Sequence, residues 1–176
     1  MIKELKKLTS TSRWRLSDRQ RRIHNFLQEQ RVGVLSTVGP GGDPHGSAVY
    51  YELGDDFSVH ILTKKGTRKY DNMVHNNHVM LTVFEPHTQT TVQVTGIAVE
   101  RPGKGDINKI AGAIFGATLQ TSDSGLPPIV KLQAGVFTTF QIQPVQIRMA
   151  IYARPYSGNY DEIFDSIESF DYEANA

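Results

Sequence analysis

The chain has 176 residues, of which 39% are hydrophobic and 21% charged, and its formal net charge is +1. This composition is ordinary for one globular domain and argues against a disordered or fibrous protein. The lack of cysteine excludes disulfides, a thiol nucleophile and a zinc–thiolate site. Because there is no apolar run of about 20 residues and no secretory leader, we expect a cytoplasmic protein with no membrane association.

Charge is distributed unevenly along the chain. Residues 1–31 contain nine Lys and Arg against three Asp and Glu, whereas the segment after Arg154 has six acids and no base. A basic arm can bind nucleic acid, but Trp14 is the only aromatic residue among the first basic residues, so we expect no nucleic-acid partner. We divide the chain into an N-terminal extension (1–16), a folded domain (17–154) and an acidic C-terminal tail (155–176).

The spacing of apolar residues predicts a mainly β protein with flanking helices. A capped helix is predicted over 18–29, a short helix from Thr67 to about 76, and a longer helix over 106–119. The segment 79–84 reads as a strand buried on both faces, and residues Ile163, Phe164, Ile167 and Phe170 could form a short helical face. The predicted strands are 32–38, 45–53, 57–63, 79–84, 91–101, and 135–142 with 145–152, the last two being one strand if Pro144 only interrupts it. Tight turns between most strands favour a small antiparallel barrel or sandwich.

A basic turn follows the third predicted strand and opens the short helix. Lys64, Lys65, Arg68 and Lys69 surround Gly66 and Thr67. Thr67 is predicted to cap the short helix. A hydroxyl, free helix amides and several cations at one point can bind a phosphate group. The spacing matches neither a Walker A loop nor a dinucleotide-binding turn. On these residues alone, a solvated basic turn that caps a helix is the simpler interpretation.

A wider set of motifs resembles the pyridoxamine 5′-phosphate oxidase-like family of FMN-binding split barrels. The order and spacing match over about seventy residues. The resemblance implies a six-stranded antiparallel split β-barrel with Greek-key order, and it favours phosphate binding at the basic turn. The matching segments are Val34-Leu35-Ser36-Thr37-Val38, Asp43-Pro44-His45, Gly66-Thr67-Arg68-Lys69, Asn72, Asn76-Asn77, 79–81, Val92-Gln93-Val94-Thr95-Gly96 and Ile142-Gln143-Pro144-Val145.

The resemblance also implies a cofactor, FMN, and the residues that bind it. Thr67, Arg68 and Lys69 match the phosphate-binding residues of the family. The remaining cofactor-binding candidates lie on strands: Ser47, Ala48 and Val49 along the isoalloxazine ring, Leu62 and Thr63 at the end of the third strand, and Thr91 with Gln93. In the family the flavin lies between two subunits, so we expect a homodimer.

Departures from the family pattern limit the expected activity. Ser47 stands where the oxidase has an arginine, and Glu52 where it has a lysine directed to the phosphate. Arg148 and Arg154 do not reproduce the oxidase's substrate motif. We therefore expect an FMN-dependent oxidoreductase that passes hydride between a nicotinamide or small organic substrate and FMN, and not a pyridoxamine phosphate oxidase. No catalytic residue is assigned, because the flavin itself carries hydride chemistry.

Other functions stay open at this stage. The same superfamily includes proteins that bind a deazaflavin or haem, and the chain could be a non-enzymatic flavin-binding or stress-response module. His75 and His78 could share a metal, but no third ligand is near them in sequence, so we expect no metal site. Ser36 and Ser47 have no Ser-His-Asp arrangement, which argues against a hydrolase.

Overall fold

The structure is a computed structural model that describes residues 16–121, 135–152 and 166–171. These residues form three helices and seven strands. Their bounds are α1 Asp18–Gln30, β1 Val32–Val38, β2 Pro44–Leu53, β3 Val59–Lys64, α2 Arg68–His75, β4 His78–Glu85, β5 Thr90–Arg101, α3 Lys104–Thr121, β6 Phe137–Ile151 and β7 Ser166–Asp171. All three helices and the first five strands lie within about two residues of their predicted bounds. The third strand begins two residues late because Phe57 has a left-handed φ of 61°, which a strand does not allow.

Six strands close into an antiparallel barrel. The sheet order is β3-β2-β1-β4-β5-β6-β7, and β3 also pairs with β6. The order β4-β1-β2-β3 is a Greek key. Alternate residues of each strand point into the barrel, where Ile61, Leu81 and Val94 are fully buried. The predicted split-barrel fold is therefore confirmed.

Strand β4 differs from its prediction. Val79, Leu81 and Val83 are buried in the barrel, but Phe84, on the opposite face, is 57% exposed. The prediction that this strand is buried on both faces was therefore wrong for the single chain. An apolar run can mark a strand that is covered on its second face only in an assembly.

The last strands show how the sheet accommodates Pro144. β6 is one strand of 15 residues, and its register with β5 shifts at Thr95 and Gly96, opposite Pro144. A Cβ at Gly96 would lie 2.3 Å from the carbonyl oxygen of Gln143, so this irregularity requires glycine.

The tail was predicted to form a helical face, and this prediction was wrong for Ile167 and Phe170. Both residues lie in β7, which pairs antiparallel with the second half of β6. Backbone pairing with an available strand edge outweighs the weak helical spacing of the segment. The other two residues of that predicted face, Ile163 and Phe164, lie outside the described residues.

One end of the barrel, called the closed end, is covered by α1. Ile23 and Leu27 of α1 are fully buried against the barrel. The Tyr51 hydroxyl donates to the carbonyl oxygen of Leu27 over 2.6 Å, and burial raises the pKa of this phenol. Ser17 forms a capping box with Gln20 at the start of α1. These contacts attach α1 firmly across the β2–β3 turn.

Among residues 16–121, 135–152 and 166–171, no helix combines the length and the apolar character needed to cross a bilayer.

Candidate functional site

The opposite end of the barrel is open between β2 and β3. These strands pair over only three positions: Tyr51 with Ile61, Glu52 with His60, and Leu53 with Val59. Beyond this point β2 pairs only with β1, and β3 only with β6. The facing edges of residues 44–50 and of Leu62 and Thr63, called the barrel opening, therefore carry backbone N–H and C=O groups that pair with no further strand among the described residues. A planar ligand with alternating donors and acceptors could bind these groups.

Helix α2 begins directly beside the barrel opening. Gly66, with φ of 75°, turns the chain out of β3, and the first helical bond runs from the Asp71 amide to the Thr67 carbonyl over 3.0 Å. The amides of Arg68, Lys69 and Tyr70 precede that bond. Such amides have no acceptor within the helix, and the positive end of the helix dipole lies among them. They could bind an anion, and this place is called the anion site below.

The Thr67 side chain leaves these amides uncapped. Thr67 occupies the N-cap position, as predicted, but it makes no capping hydrogen bond. Its hydroxyl instead donates to the Lys64 carbonyl over 2.8 Å and lies 3.3 Å from the Thr63 hydroxyl. The prediction that this hydroxyl caps α2 was therefore wrong, because the turn at Gly66 directs the hydroxyl to the Lys64 carbonyl and not to the amides of the first helical turn. The helix amides remain available to a ligand.

The cations of the basic turn have different surroundings. Lys69 is half-buried, no carboxylate pairs with it among the described residues, and burial lowers the pKa of its ammonium group. Lys65 instead forms an ion pair with Glu100 at 3.1 Å, and the hydrogen bond that its ammonium group donates to Glu100 raises the pKa of Lys65. Arg68 is exposed. An anion at the start of α2 would therefore supply the charge partner that Lys69 lacks.

The structure brings eight of the ten predicted cofactor-binding residues to the barrel opening and the start of α2. These are Ser47, Ala48, Val49, Leu62, Thr63, Thr67, Arg68 and Lys69. Continuing the β2–β3 register would place Ala48 opposite Lys64, where the strands no longer pair. Ser47 and Val49 point to the inside of the barrel, next to strand β1, and Thr63 is buried.

Thr91 and Gln93 lie elsewhere in the same chain. They occupy the outer face of β5, because their neighbours Val92 and Val94 are fully buried inside the barrel. Gln93 is opposite Arg148 of β6, whereas the end of β3 is opposite Thr138. The path along β6 between these points is about 30 Å long, and the row that joins Gln93 to Ala48 crosses three strand spacings of about 4.8 Å each, so Gln93 does not adjoin the barrel opening within one chain.

The carboxylate of Glu52 faces away from the anion site. It forms an ion pair with Arg31, with an N–O distance of 2.5 Å, at the closed end. Its backbone is opposite His60, four residues before the end of β3. The negative charge of Glu52, which the sequence suggested near a phosphate, is thus paired with Arg31 and lies away from the anion site.

Sequence reasoning did not assign a role to a buried polar link beside the site. Asn72 of α2 donates to the Thr37 hydroxyl over 3.0 Å, and that hydroxyl donates to the His45 carbonyl over 3.3 Å. Asn72 is 4% and Thr37 1% exposed. An asparagine on the inner face of a short helix was the signal that could have revealed this link, since buried amides need partners.

Three cavities lie away from the barrel opening. One of 560 Å³ lies beside α1 and is lined by Phe26 and Met149 among others, and one of 350 Å³ lies under α3 around His60. A third of 520 Å³ lies near the end of α2. Within the described residues, no group of three or more His, Asp or Glu side chains could hold a metal ion. His75 ends α2 and His78 begins β4.

Solved structures with the same fold include proteins that bind different ligands. A pyridoxamine 5′-phosphate oxidase-related, FMN-binding protein from Nostoc punctiforme is 17% identical, with a TM-score of 0.55 over 89% of this chain and 98% of that chain. A FAD-binding protein from Mesorhizobium loti is 21% identical, with a TM-score of 0.55 over 76% of this chain and 92% of that chain. A heme-binding protein from Mycobacterium smegmatis is 18% identical, with a TM-score of 0.52 over 82% of this chain and 57% of that chain. At these identities the similarity establishes the fold.

The sequence comparisons establish the family. No curated protein matches the chain. The family model described as pyridoxamine 5′-phosphate oxidase matches residues 20–146, which include the whole barrel opening and α2. This chain belongs to the pyridoxamine 5′-phosphate oxidase family.

Proposed function

We propose that this protein is a flavoprotein that holds FMN at the barrel opening, with the FMN phosphate at the start of α2. The observation that carries the proposal is that three uncapped helix amides lie beside Lys69. Lys69 is half-buried, and no carboxylate pairs with it within the part of the chain that the structure describes. Helix N-termini bind phosphate groups by this combination of amides and dipole. A phosphate would also restore a favourable environment for the Lys69 charge.

The flavin ring would lie along the barrel opening. Its pyrimidine edge carries alternating donors and acceptors, which suit the unpaired backbone groups of 47–49 on β2 and of Leu62 and Thr63 on β3. The FMN- and FAD-binding proteins with the same fold support a flavin as the ligand. Because the anion site accommodates a terminal phosphate, FMN is our choice over FAD or riboflavin.

A second copy of the chain would complete the site as a homodimer. The outer sheet face contains one row of residues formed by Ala48, Val34, Thr82 and Gln93 on neighbouring strands. Val34 is 47% and Phe84 57% exposed on this face, which is an unusual position for two large apolar side chains. Packing two such faces together would bury these side chains and bring Gln93 of one copy toward the opening of the other.

The proposed activity is an FMN-dependent oxidoreductase acting between a nicotinamide or small organic substrate and FMN. The flavin would supply the hydride chemistry, while this chain's residues bind the cofactor, orient it and leave one side of the opening to a small substrate. Ser47 in place of arginine, and Glu52 held by Arg31, leave the site without the cations expected of a pyridoxamine phosphate oxidase. A different substrate is therefore proposed.

Haem is the second candidate ligand. The haem-binding protein with the same fold is one reason. The other is His45, a half-buried histidine at the barrel opening whose Nδ1 lies 3.4 Å from the Ser47 hydroxyl. An imidazole at this place could ligate a haem iron.

The ligand that copurifies with the protein tests this proposal. The protein should be yellow, and denaturation should release a compound with the mass of FMN. If the protein is colourless, adding FMN should restore a bound flavin with quenched fluorescence. Release of haem or of a deazaflavin, or failure to bind added FMN, would contradict the assignment.

A further inference from the structure

The two sides of the barrel opening belong to different parts of the sheet. α2, with the anion site, continues from β3 on one side, while the ring-binding segment 47–49 belongs to β2 on the other. The β2–β3 ladder ends at Tyr51 and Ile61, so direct pairing between β2 and β3 does not fix the spacing of the two sides beyond that point. A ligand that contacts both sides depends on this spacing.

A buried hydrogen-bond chain crosses between these two sides. The Asn72 side-chain amide on α2 donates to the Thr37 hydroxyl on β1 over 3.0 Å. Thr37 donates in turn to the carbonyl oxygen of His45, its partner on β2, over 3.3 Å. Asn72 and Thr37 are both almost completely buried. Because water does not compete at buried sites, such a chain holds its groups in one geometry.

The position of Asn72 on α2 connects these buried hydrogen bonds to the anion site. Asn72 follows Lys69 by three residues and Arg68 by four, and residues at these spacings lie on the same face of a helix. Lys69 is half-buried on that face. Any movement of α2 that followed loss of the Asn72 bond would therefore move Lys69 and the free amides relative to β2.

We propose that Asn72 is a positioning residue that sets the distance between the phosphate site on α2 and the ring-binding segment of β2. This inference rests on the proposed function, since it concerns how FMN meets both sides at once. Asn72 touches neither the phosphate nor the ring in this account. Its role is to keep the two half-sites at the separation that one FMN molecule spans, which makes the phosphate and the ring bind cooperatively.

The test compares FMN with riboflavin, which has the same ring but no phosphate. Asn72→Leu and Thr37→Val remove the link from either side while nearly conserving volume, and Thr37→Ser retains the hydroxyl. Ile147→Val shortens a fully buried core side chain on the far half of β6 and serves as the control for a general loss of stability. The dissociation constants of both ligands are measured for each full-length variant by flavin fluorescence.

The wild-type protein should prefer FMN to riboflavin by roughly 10- to 100-fold, as expected for charged hydrogen bonds to the phosphate. Asn72→Leu and Thr37→Val should each lower this preference by about tenfold, and the double variant should lower it no further. Thr37→Ser and Ile147→Val should keep the wild-type preference. This pattern would be produced by a positioning role and would not follow from weakened folding.

Two results would overturn the inference while leaving the proposed function intact. One is an unchanged preference in Asn72→Leu and Thr37→Val while Lys69→Ala lowers it. The other is an equal loss of FMN and riboflavin in both variants, which would indicate a general disturbance of the opening. A wild-type protein that binds riboflavin as tightly as FMN, or neither, would overturn the proposed phosphate site itself and the inference with it.

Discussion

The two ends of the barrel treat their polar groups in opposite ways. At the closed end the Tyr51 hydroxyl binds the Leu27 carbonyl, Glu52 pairs with Arg31, and Ser17 caps α1. At the open end the Thr67 side chain does not cap the first amides of α2, and no carboxylate in the described part of the chain pairs with the partly desolvated Lys69. Helix termini and buried charges are normally satisfied within a protein. The contrast agrees with the proposed function, in which the closed end serves stability and the open end binds a ligand.

The largest effect should come from removing the second copy from the open end. Val34→Glu would place a carboxylate on the outer sheet face, and burying an unpaired charge in an interface is strongly unfavourable. We expect the dimer dissociation constant to rise by about 100-fold or more, with FMN binding lost in parallel. Sedimentation velocity measures the first and fluorescence titration the second.

Val74→Glu is the matched control for the interface. Val74 is 61% exposed but lies on α2, outside the sheet face, so this substitution should leave the dimer unchanged. A wild-type protein that is monomeric at all concentrations, or a dimer that tolerates Val34→Glu, would show that the open end is complete in one chain.

The next largest effect concerns the charge at the anion site. Lys69→Ala should weaken FMN binding by about 1.5–3 kcal/mol, the cost of one charged hydrogen bond, and should leave riboflavin binding unchanged. Arg21→Ala is a suitable control, because Arg21 is an exposed cation at the closed end that pairs only locally with Asp18. Equal FMN affinity in wild-type and Lys69→Ala proteins would show that the FMN phosphate does not bind at this site.

A smaller effect is expected from pH, through the same lysine. Burial lowers the pKa of Lys69 below 10.5 in the free protein, whereas a bound phosphate favours the charged form and raises it again. FMN binding should therefore take up a proton above the free-protein pKa, and affinity should fall as pH rises through it. Titrations from about pH 7 to about pH 10 measure this decrease.

The stability of the free protein should change with pH in the opposite direction to the FMN affinity. The unfolded chain binds more protons at Lys69 than the folded chain between the lowered pKa and 10.5, so stability should rise with pH in that window. Lys69→Arg is the control for both measurements, since arginine stays charged throughout. The same pH dependence in Lys69→Arg would assign the effect to another group.

The smallest effect should appear at the closed end. Tyr51→Phe removes the hydroxyl bound to the Leu27 carbonyl and should lower the free energy of unfolding by about 1–2 kcal/mol. Urea denaturation measures this loss. FMN affinity should stay within about twofold of wild type, because Tyr51 lies where the β2–β3 ladder is intact. A parallel loss of FMN binding would mean that the two ends are not independent.

Much of the fold was predictable because the periodicity of apolar residues is strong. β5 alternates cleanly, and α1 combines a capping residue with the apolar pair Ile23 and Leu27. β7 was missed because the short apolar spacing around Ile167 fits a helix as well as a strand, and only an available edge on β6 decides between them. Strand bounds thus followed from local pattern, while edge pairing depended on the rest of the sheet.

The candidate site was predictable in its residue types but not in its details. The cations and the turn at Gly66 were compatible with an anion site beside β3, and the family resemblance made that interpretation the favoured one. The direction of the Thr67 hydroxyl could not be predicted, because it depends on the Lys64 carbonyl that the folded turn presents. The separation of Gln93 from the other predicted residues follows from the closure of the barrel, a long-range property that no local pattern contains.

The position of the FMN phosphate tests the central claim most directly. A crystal structure of the protein grown with FMN should place the phosphate oxygens within about 3.2 Å of the Arg68, Lys69 and Tyr70 amides, with the ring along 47–49. The Lys69 ammonium should contact the same phosphate. An FMN molecule bound instead in the cavity beside α1, with the start of α2 left to solvent, would contradict the account.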